Sequence, residues 1–154
     1  MFDFDAPANL EWVDYSNNCI TEISSTDQHP YLKKLLLDNN QITKIENVER
    51  NQYLRMLSLN NNQIEDIENL DHLNIEELFL ADNSIKIITG LDNLALLRRL
   101  DLSKNEINKL HGLESIDRLK FLFLCHNKIS KINELSKIEN LQELTELDLC
   151  FNPI

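Results

Sequence analysis

The length and charge of this chain exclude several classes of protein before any motif is considered. Its 154 residues suit a single domain. The 26 acidic residues outnumber the 15 basic ones, and the net charge of −11 argues against nucleic acid or an anionic membrane as a partner. No apolar run approaches the roughly 20 residues that a transmembrane helix needs, so we expect no membrane partner.

The N-terminus and the cysteines predict a cytoplasmic location. The stretch from Met1 to Asp5 is acidic and lacks the basic start and apolar segment of a signal peptide. The chain has 3 cysteines, an odd number with no disulfide framework, which fits a reducing compartment.

One pattern, L-x-x-L-x-L-x-x-N-x-I, begins at Leu97 and recurs along the chain. Its asparagines are 22 residues apart, except for one step of 21 and a last step of 25. They are Asn18, Asn40, Asn62, Asn83, Asn105, Asn127 and Asn152. A period of roughly 20–29 residues with this signature predicts leucine-rich repeats.

The repeats are expected to form one domain over residues 1–154. A lead-in over residues 1–9 precedes repeats that start near residues 10, 32, 54, 75, 97, 119 and 144, the last of them incomplete. The fold class is then an α/β repeat, a right-handed solenoid with a parallel concave sheet and short 3₁₀ or α turns on the convex side. We expect the open C-terminal end to pair with a downstream domain or another chain, and the chain to be a fragment.

Each repeat has residues with a predicted local role. Leucines two residues apart, such as Leu35 and Leu37, point the same way from a short strand. Asn or Gly stands at one position of the return segment, where a left-handed backbone is expected: Asn47, Asn69, Gly90 and Gly112. The repeat asparagines are assigned to the scaffold, because a side-chain amide can satisfy backbone groups where each strand ends. The long last step predicts one extra helical turn.

The candidate partner-binding residues lie between the leucines, on the concave face. The expected strand centres hold Asp14, Leu36, Ser58, Phe79, Asp101, Phe123 and Asp148. The scaffold does not require large apolar residues there, and clustered aromatic and arginine side chains are the usual anchors of interfaces. The predicted partner-binding residues are Trp12, Leu36, Met56, Phe79, Arg99, Asp101, Phe121, Phe123 and His126. The alternative is that these side chains only pack on one another.

The sequence predicts no catalytic, cofactor or metal site. Four histidines fall in different repeats without a paired nucleophile and acid, so we expect a protein that is not an enzyme. Cys125 and Cys150 occupy one equivalent position with His126 beside them, which raises the question of a metal. Three ligands on two flat strands would make a poor tetrahedral set, and reduced thiols are the favoured interpretation.

Two resemblances narrow the family. The I-x-x-I-x-x-L segments, such as Ile64 to Leu70, resemble the 22-residue subclass that includes the regulatory subunit of protein phosphatase 1 and an axonemal dynein light chain. The stretches Val13 to Ile20, Ile88 to Leu91 and Asn152 to Ile154 resemble the repeat region of leucine-rich repeat and guanylate kinase domain proteins. That resemblance implies a following guanylate kinase-like domain and an association with cilia or the cytoskeleton.

We therefore predict a non-catalytic scaffold that binds a protein partner on its concave face. The first alternative is an N-terminal targeting or regulatory region of a larger guanylate kinase-like, ciliary or cytoskeletal protein. The second is a regulatory subunit of a protein phosphatase.

Overall fold

The computed structural model describes residues 9–24 and 26–154. Apart from Asn9, the predicted lead-in lies outside the described residues. Each strand has three residues: β1 (Trp12–Asp14), β2 (Lys34–Leu36), β3 (Met56–Ser58), β4 (Glu77–Phe79), β5 (Arg99–Asp101), β6 (Phe121–Phe123) and β7 (Glu146–Asp148). All pair in parallel in chain order, β1-β2-β3-β4-β5-β6-β7. The predicted solenoid with a parallel sheet is confirmed, with about 6 turns and little helix.

The repeat period sets the register of the sheet. Leu35 pairs with Leu57 and Leu100 pairs with Leu122, in each case one repeat further along the chain. Because one residue is missing between β3 and β4, Leu57 pairs with Leu78, and the sheet continues without a shift. Changes of period are therefore absorbed in the return segments and leave the strands aligned.

The core is a continuous stack of leucine and isoleucine between the sheet and the return segments. The central residue of each inner strand points into it, and Leu57, Leu78, Leu100 and Leu122 are each 0% exposed. The sequence analysis placed Leu36, Phe79 and Phe123 at the strand centres, and that detail was wrong, because each of them is the last residue of its strand. The binding candidates are the first and last residues of the strands, which point away from the core because side chains alternate along a strand. We call this side of the sheet the concave face.

The return segments are built from turns with little helix. Backbone bonds of the 3₁₀ type close them, for example from Asn51 N–H to the Val48 carbonyl (2.9 Å) and from Leu94 N–H to the Leu91 carbonyl (3.0 Å). Two 3₁₀ helices occur in the described residues, η1 (Thr26–Gln28) and η2 (Ile132–Ile138). Since η2 lies in the long last period, the predicted extra helical turn is confirmed. Within the described ranges, no helix has the length and apolar character needed to cross a membrane.

The repeat asparagines join each turn to the one before it. The Asn105 amide nitrogen donates to the carbonyl oxygens of Leu80 (2.9 Å) and Leu102 (3.1 Å), while its oxygen accepts the Ile85 N–H (2.9 Å). Asn18 follows β1, the first strand of the described sheet. It is exposed, and within the described residues it donates to the carbonyl oxygens of Tyr15 and Ser16 in its own turn. The assignment of these asparagines to the scaffold is confirmed.

The predicted left-handed backbone at the four Asn and Gly positions is also confirmed. These positions differ in how closely the backbone of the preceding turn approaches them. Asn47 has a φ of 60°, Asn69 of 59°, Gly90 of 67° and Gly112 of 94°. The Asn69 amide donates to the Ile45 carbonyl at 2.7 Å. At Gly90 the Ile67 carbonyl oxygen lies 2.2 Å from where a Cβ would stand. Glycine therefore allows the neighbouring turn to take the space that an asparagine side chain fills elsewhere.

A polar lid covers the core under the first turn. The segment from Ser24 to Pro30 has no apolar period, yet Thr26 and His29 are buried. The fully buried Asn51 holds this segment, because its amide nitrogen donates to the carbonyl oxygens of Thr26 (3.1 Å) and His29 (3.1 Å). Asn51 falls outside the repeat pattern, and the sequence analysis did not identify this role.

Candidate functional site

The register of the sheet arranges the concave face in two rows. The first row carries Trp12, Lys34, Met56, Glu77, Arg99, Phe121 and Glu146. The second row carries Asp14, Leu36, Ser58, Phe79, Asp101, Phe123 and Asp148. Neighbouring members of a row are separated by the strand spacing of about 4.8 Å, so side chains on adjacent strands can touch.

Three phenylalanine rings surround one arginine on strands β4, β5 and β6. The guanidinium carbon of Arg99 lies 5.7 Å from the ring centroid of Phe79, 5.5 Å from that of Phe121 and 4.8 Å from that of Phe123. All of these distances fall within the range of a cation–π contact, about 6 Å. We call these four residues the Arg99 cluster. The predicted grouping of the three phenylalanines around Arg99 is confirmed.

The charge of Arg99 is stabilised by rings and not by a carboxylate. Among residues 9–24 and 26–154, the ion pairs involve other cations, and Arg99 is in none of them. Its Nε is buried without a hydrogen-bond partner. Asp101, two residues away on the same face, accepts the Ser103 N–H at 3.0 Å. A guanidinium has five N–H donors, so the Arg99 cluster retains unused capacity to bind an acceptor.

The other predicted site residues do not join the Arg99 cluster. Leu36 and Met56 are half-buried on β2 and β3, and Trp12 is 64% exposed on β1 at the end of the sheet. His126 is exposed and stacks on Phe151, with ring centroids 4.3 Å apart and planes 10° apart. The structure therefore brings together four of the nine predicted residues, with Asp101 beside them, and spreads the rest along the sheet.

A polar network adjoins the Arg99 cluster. The Ser58 hydroxyl donates to Asp38 Oδ1 at 2.6 Å, and the Asn60 N–H donates to the same oxygen at 2.7 Å. The Asn60 side-chain oxygen accepts the Ala81 N–H at 2.8 Å, which ties the network to the turn that follows β4. These groups satisfy one another, so they form a fixed polar border. Asp38 and Asn60 occupy equivalent positions after successive strands, which is a signal in the sequence from which no border was predicted.

Two thiols and a carboxylate meet where β6 and β7 end. Ligand atoms of Cys125, Asp148 and Cys150 all lie within 4.8 Å of one another. Sequence reasoning considered His126 as the third member, but the structure places Asp148 there. The Cys150 N–H donates to Asp148 Oδ1 at 2.9 Å, and this bond lowers the pKa of that carboxyl. The carboxylate in turn accepts a hydrogen bond from the thiol, and this bond, with some loss of hydration and the neighbouring Cys125, raises the pKa of Cys150 to about 12.

Comparison with known families agrees with the repeat architecture. A family model described as leucine-rich repeats (2 copies) matches residues 30–72. The matched residues are therefore leucine-rich repeats, and the structure repeats the same turn along all seven strands of the described sheet. The match covers the turns that contain β2 and β3, which are among the most regular in the sequence.

Solved structures of other leucine-rich repeat proteins share the fold over nearly the whole chain. A leucine-rich repeat protein of Leptospira interrogans has a TM-score of 0.82 at 29% identity over 96% of this chain. An internalin of Listeria monocytogenes has a TM-score of 0.76 at 29% identity over 92%, and internalin C2 of that organism has 0.68 at 27% over 94%.

The lengths of these proteins differ from that of the chain. The chain spans 38% of the Leptospira protein, 40% of the first internalin and 73% of internalin C2. No curated protein matches the sequence significantly.

Proposed function

We propose that this leucine-rich repeat protein is a non-catalytic interaction module that binds a protein partner on its concave face through the Arg99 cluster. Leucine-rich repeat proteins typically serve as protein-interaction scaffolds. The observation that carries the proposal is the convergence of three phenylalanine rings on an arginine that has no carboxylate partner within the described residues.

The composition of the Arg99 cluster matches that of an interface centre. Aromatic and arginine side chains supply most of the binding energy at protein interfaces, and such residues group near the middle of the contact. The rings of Phe79, Phe121 and Phe123 are half-buried, so part of each ring remains available to a partner. The polar network of Asp38, Ser58 and Asn60 lies beside this centre, as the polar rim of an interface does.

The unpaired guanidinium predicts the chemistry of the partner. Binding would remove the remaining water from Arg99, which favours an acceptor that is itself charged, because charge-assisted hydrogen bonds are about twice as strong as neutral ones. The rings favour apolar side chains on either side of that acceptor. We therefore infer a partner surface with an Asp or Glu side chain, or a C-terminal carboxylate, flanked by apolar residues.

The two alternatives from the sequence stay predictions that rest on resemblance. One is a targeting or regulatory region of a larger guanylate kinase-like, ciliary or cytoskeletal protein, and the other is a phosphatase regulatory subunit. The cytoplasmic location stays a prediction too. The Arg99 cluster is compatible with each of these assignments, since each requires a protein partner.

The test compares three baits in affinity capture from native lysate: wild type, Phe123→Asp and Ile87→Asp. Ile87 is 65% exposed in the return segment between β4 and β5, so Ile87→Asp adds the same charge away from the concave face. We expect a protein that wild type and Ile87→Asp retain and Phe123→Asp loses. That protein is then purified and titrated calorimetrically against the three variants, with circular dichroism as the check of folding. Equal affinity for Phe123→Asp and wild type would refute the proposed surface.

A further inference from the structure

The ends of β6 and β7 carry three groups that are unlike their equivalents elsewhere in the sheet. Phe123 pairs with Asp148, and Cys125 and Cys150 each follow two residues after the end of their strand. The positions equivalent to the two cysteines in the preceding turns hold Ser16, Asp38, Asn60, Ala81 and Ser103. The thiols are therefore neighbours only at this edge, beside the carboxylate of Asp148.

The backbone around these three groups is held by hydrogen bonds. The Leu124 N–H donates to the Asp148 carbonyl at 2.8 Å, and the His126 N–H donates to the Cys150 carbonyl at 2.9 Å. The Asp148 side chain is oriented by the Cys150 N–H, which leaves its second oxygen free of that bond. Three potential ligands therefore project from a fixed frame, and only side-chain rotation is needed to adjust them.

We propose that Cys125, Asp148 and Cys150 form a binding site for a thiophilic divalent cation of the Zn²⁺ class. The two Sγ atoms and one carboxylate oxygen supply three ligands, and water takes the fourth position. Thiolate ligands select Zn²⁺ over hard cations such as Mg²⁺ and Ca²⁺. Three protein ligands with an open fourth position are a common arrangement for zinc.

The separations of the ligand atoms suit such an ion. With Zn–S bonds of about 2.3 Å and tetrahedral angles, two sulfur ligands stand about 3.7 Å apart. The ligand atoms already lie within 4.8 Å of one another. Any remaining difference is at most about 1 Å, which small rotations about the Cα–Cβ bonds provide.

Binding of a cation at this site would be coupled to the loss of protons, because a thiol becomes a metal ligand only as the thiolate. Metal binding would transfer the protons of both thiols to buffer, with formation of two metal–sulfur bonds and no redox change. Affinity must therefore fall steeply with acidification, as protons compete for the same atoms.

His126 is excluded from the proposed ligand set. Its ring stacks on Phe151 with centroids 4.3 Å apart, and it is absent from the group of ligand atoms that lie together. Its substitution therefore distinguishes this ligand set from the one that the sequence suggested.

The test is a titration of the whole chain with Co²⁺ and then Zn²⁺ in a phosphine reductant at neutral pH. Co²⁺ bound to thiolates gives a charge-transfer absorption band in the near ultraviolet, which Zn²⁺ then abolishes by displacement. We expect one ion per chain and release of about two protons per ion, measured calorimetrically in buffers of different ionisation enthalpy. The variants Cys125→Ser, Cys150→Ser and Asp148→Asn should each weaken binding by more than about tenfold.

Two controls make the result specific. Cys19 is an exposed free thiol in the first turn, so Cys19→Ser should retain the band, and His126→Ala should retain it as well. Thermal unfolding without metal confirms that each variant is folded. A wild-type chain without the charge-transfer band, or a band that persists in Cys125→Ser and Cys150→Ser, would overturn the proposal. Loss of the band in His126→Ala would overturn the ligand set.

Discussion

The guanidinium carbon of Arg99 lies 4.8 Å from the centroid of the Phe123 ring on the next strand. It is the closest of three such contacts, and it joins the two rows of the concave face, since Arg99 begins β5 and Phe123 ends β6. The arginine is therefore held in place before any partner arrives. Such preorganisation reduces the entropy that binding must offset.

Truncating a ring of the Arg99 cluster should weaken binding more than folding. For Phe79→Ala or Phe123→Ala we expect a loss of about 2 kcal/mol or more in the free energy of partner binding. The free energy of unfolding should change little in comparison, because both rings lie outside the leucine core. Calorimetric titration and urea unfolding measure the two quantities. If either variant fails to fold, the ring belongs to the core and the surface is misassigned.

The charge of Arg99 should contribute to partner affinity independently of the packing of its side chain. Arg99→Met keeps an unbranched side chain among the rings and removes the guanidinium, so we expect partner affinity to fall by about 2 kcal/mol or more. Arg98→Met, at an exposed neighbouring position, makes the same change in net charge and should alter affinity by less than about 0.5 kcal/mol. Equal losses of affinity in the two variants would mean that Arg99 acts only through its long-range charge and not through a direct contact with the partner.

A repeat asparagine inside the solenoid should contribute more to the free energy of unfolding than Asn18 in the first turn. Asn105→Ala leaves the carbonyl oxygens of Leu80 and Leu102 and the N–H of Ile85 without their partner, and we expect a loss of about 3 kcal/mol or more in unfolding free energy. Asn18→Ala removes bonds at an exposed position and should cost less than about 1 kcal/mol. Urea unfolding of both variants checks the order, and equal costs would contradict it.

Gly90 should tolerate no side chain. With a φ of 67° and the Ile67 carbonyl oxygen 2.2 Å from the Cβ position, Gly90→Ala combines left-handed strain with a backbone clash. We expect a loss of about 2–4 kcal/mol in unfolding free energy. The equivalent Asn69→Gly keeps the permitted backbone and loses one hydrogen bond, so its cost should be about 1 kcal/mol. Thermal and urea unfolding would contradict this account if Gly90→Ala were as stable as wild type.

The ionised carboxylate of Glu114 should stabilise the fold only at pH values above its pKa in the folded state. Its carboxylate accepts hydrogen bonds from its own N–H and from the Gly112 N–H (2.6 Å), with His111 nearby, which lowers its pKa. A lowered pKa in the folded state means that stability is present above the ordinary value of 4.5 and is lost as the pH falls through the folded value.

The variant Glu114→Gln should therefore show a smaller loss of stability on acidification below pH 4.5. The effect should stay well under about 1 kcal/mol, because the side chain is half exposed. The exposed Glu65→Gln serves as the control for the change in net charge. Urea unfolding at several pH values measures both, and parallel curves for the two variants would contradict the assignment.

The features that recur in every repeat could be predicted from the sequence. Leu57 and Leu100 occupy equivalent positions, so one strand assignment determined the pairing of all of them, and Asn105 followed from the same alignment. The position of the binding candidates at the strand ends was missed by one residue, since a three-residue strand is shorter than the pattern suggests. Periodicity determines which face a residue occupies more reliably than where its strand begins.

Contacts that break the period could not be predicted in this way. The lid formed by Thr26, His29 and Asn51 occurs once in the described residues, at the end of the sheet that begins with β1. The approach of Asp148 to Cys125 depends on side-chain rotamers across two strands, which spacing along one strand does not specify. The Arg99 cluster was predicted as a patch, but the choice of rings over Asp101 as partners of the arginine depends on rotamers as well.

The order of the sheet has a consequence for how the chain folds. Every strand pairs only with the strands that precede and follow it in the chain. Each new turn therefore closes a loop of about one repeat, and the entropy of loop closure stays nearly constant as the sheet grows. Folding can then proceed by one slow nucleation and rapid addition of turns on either side.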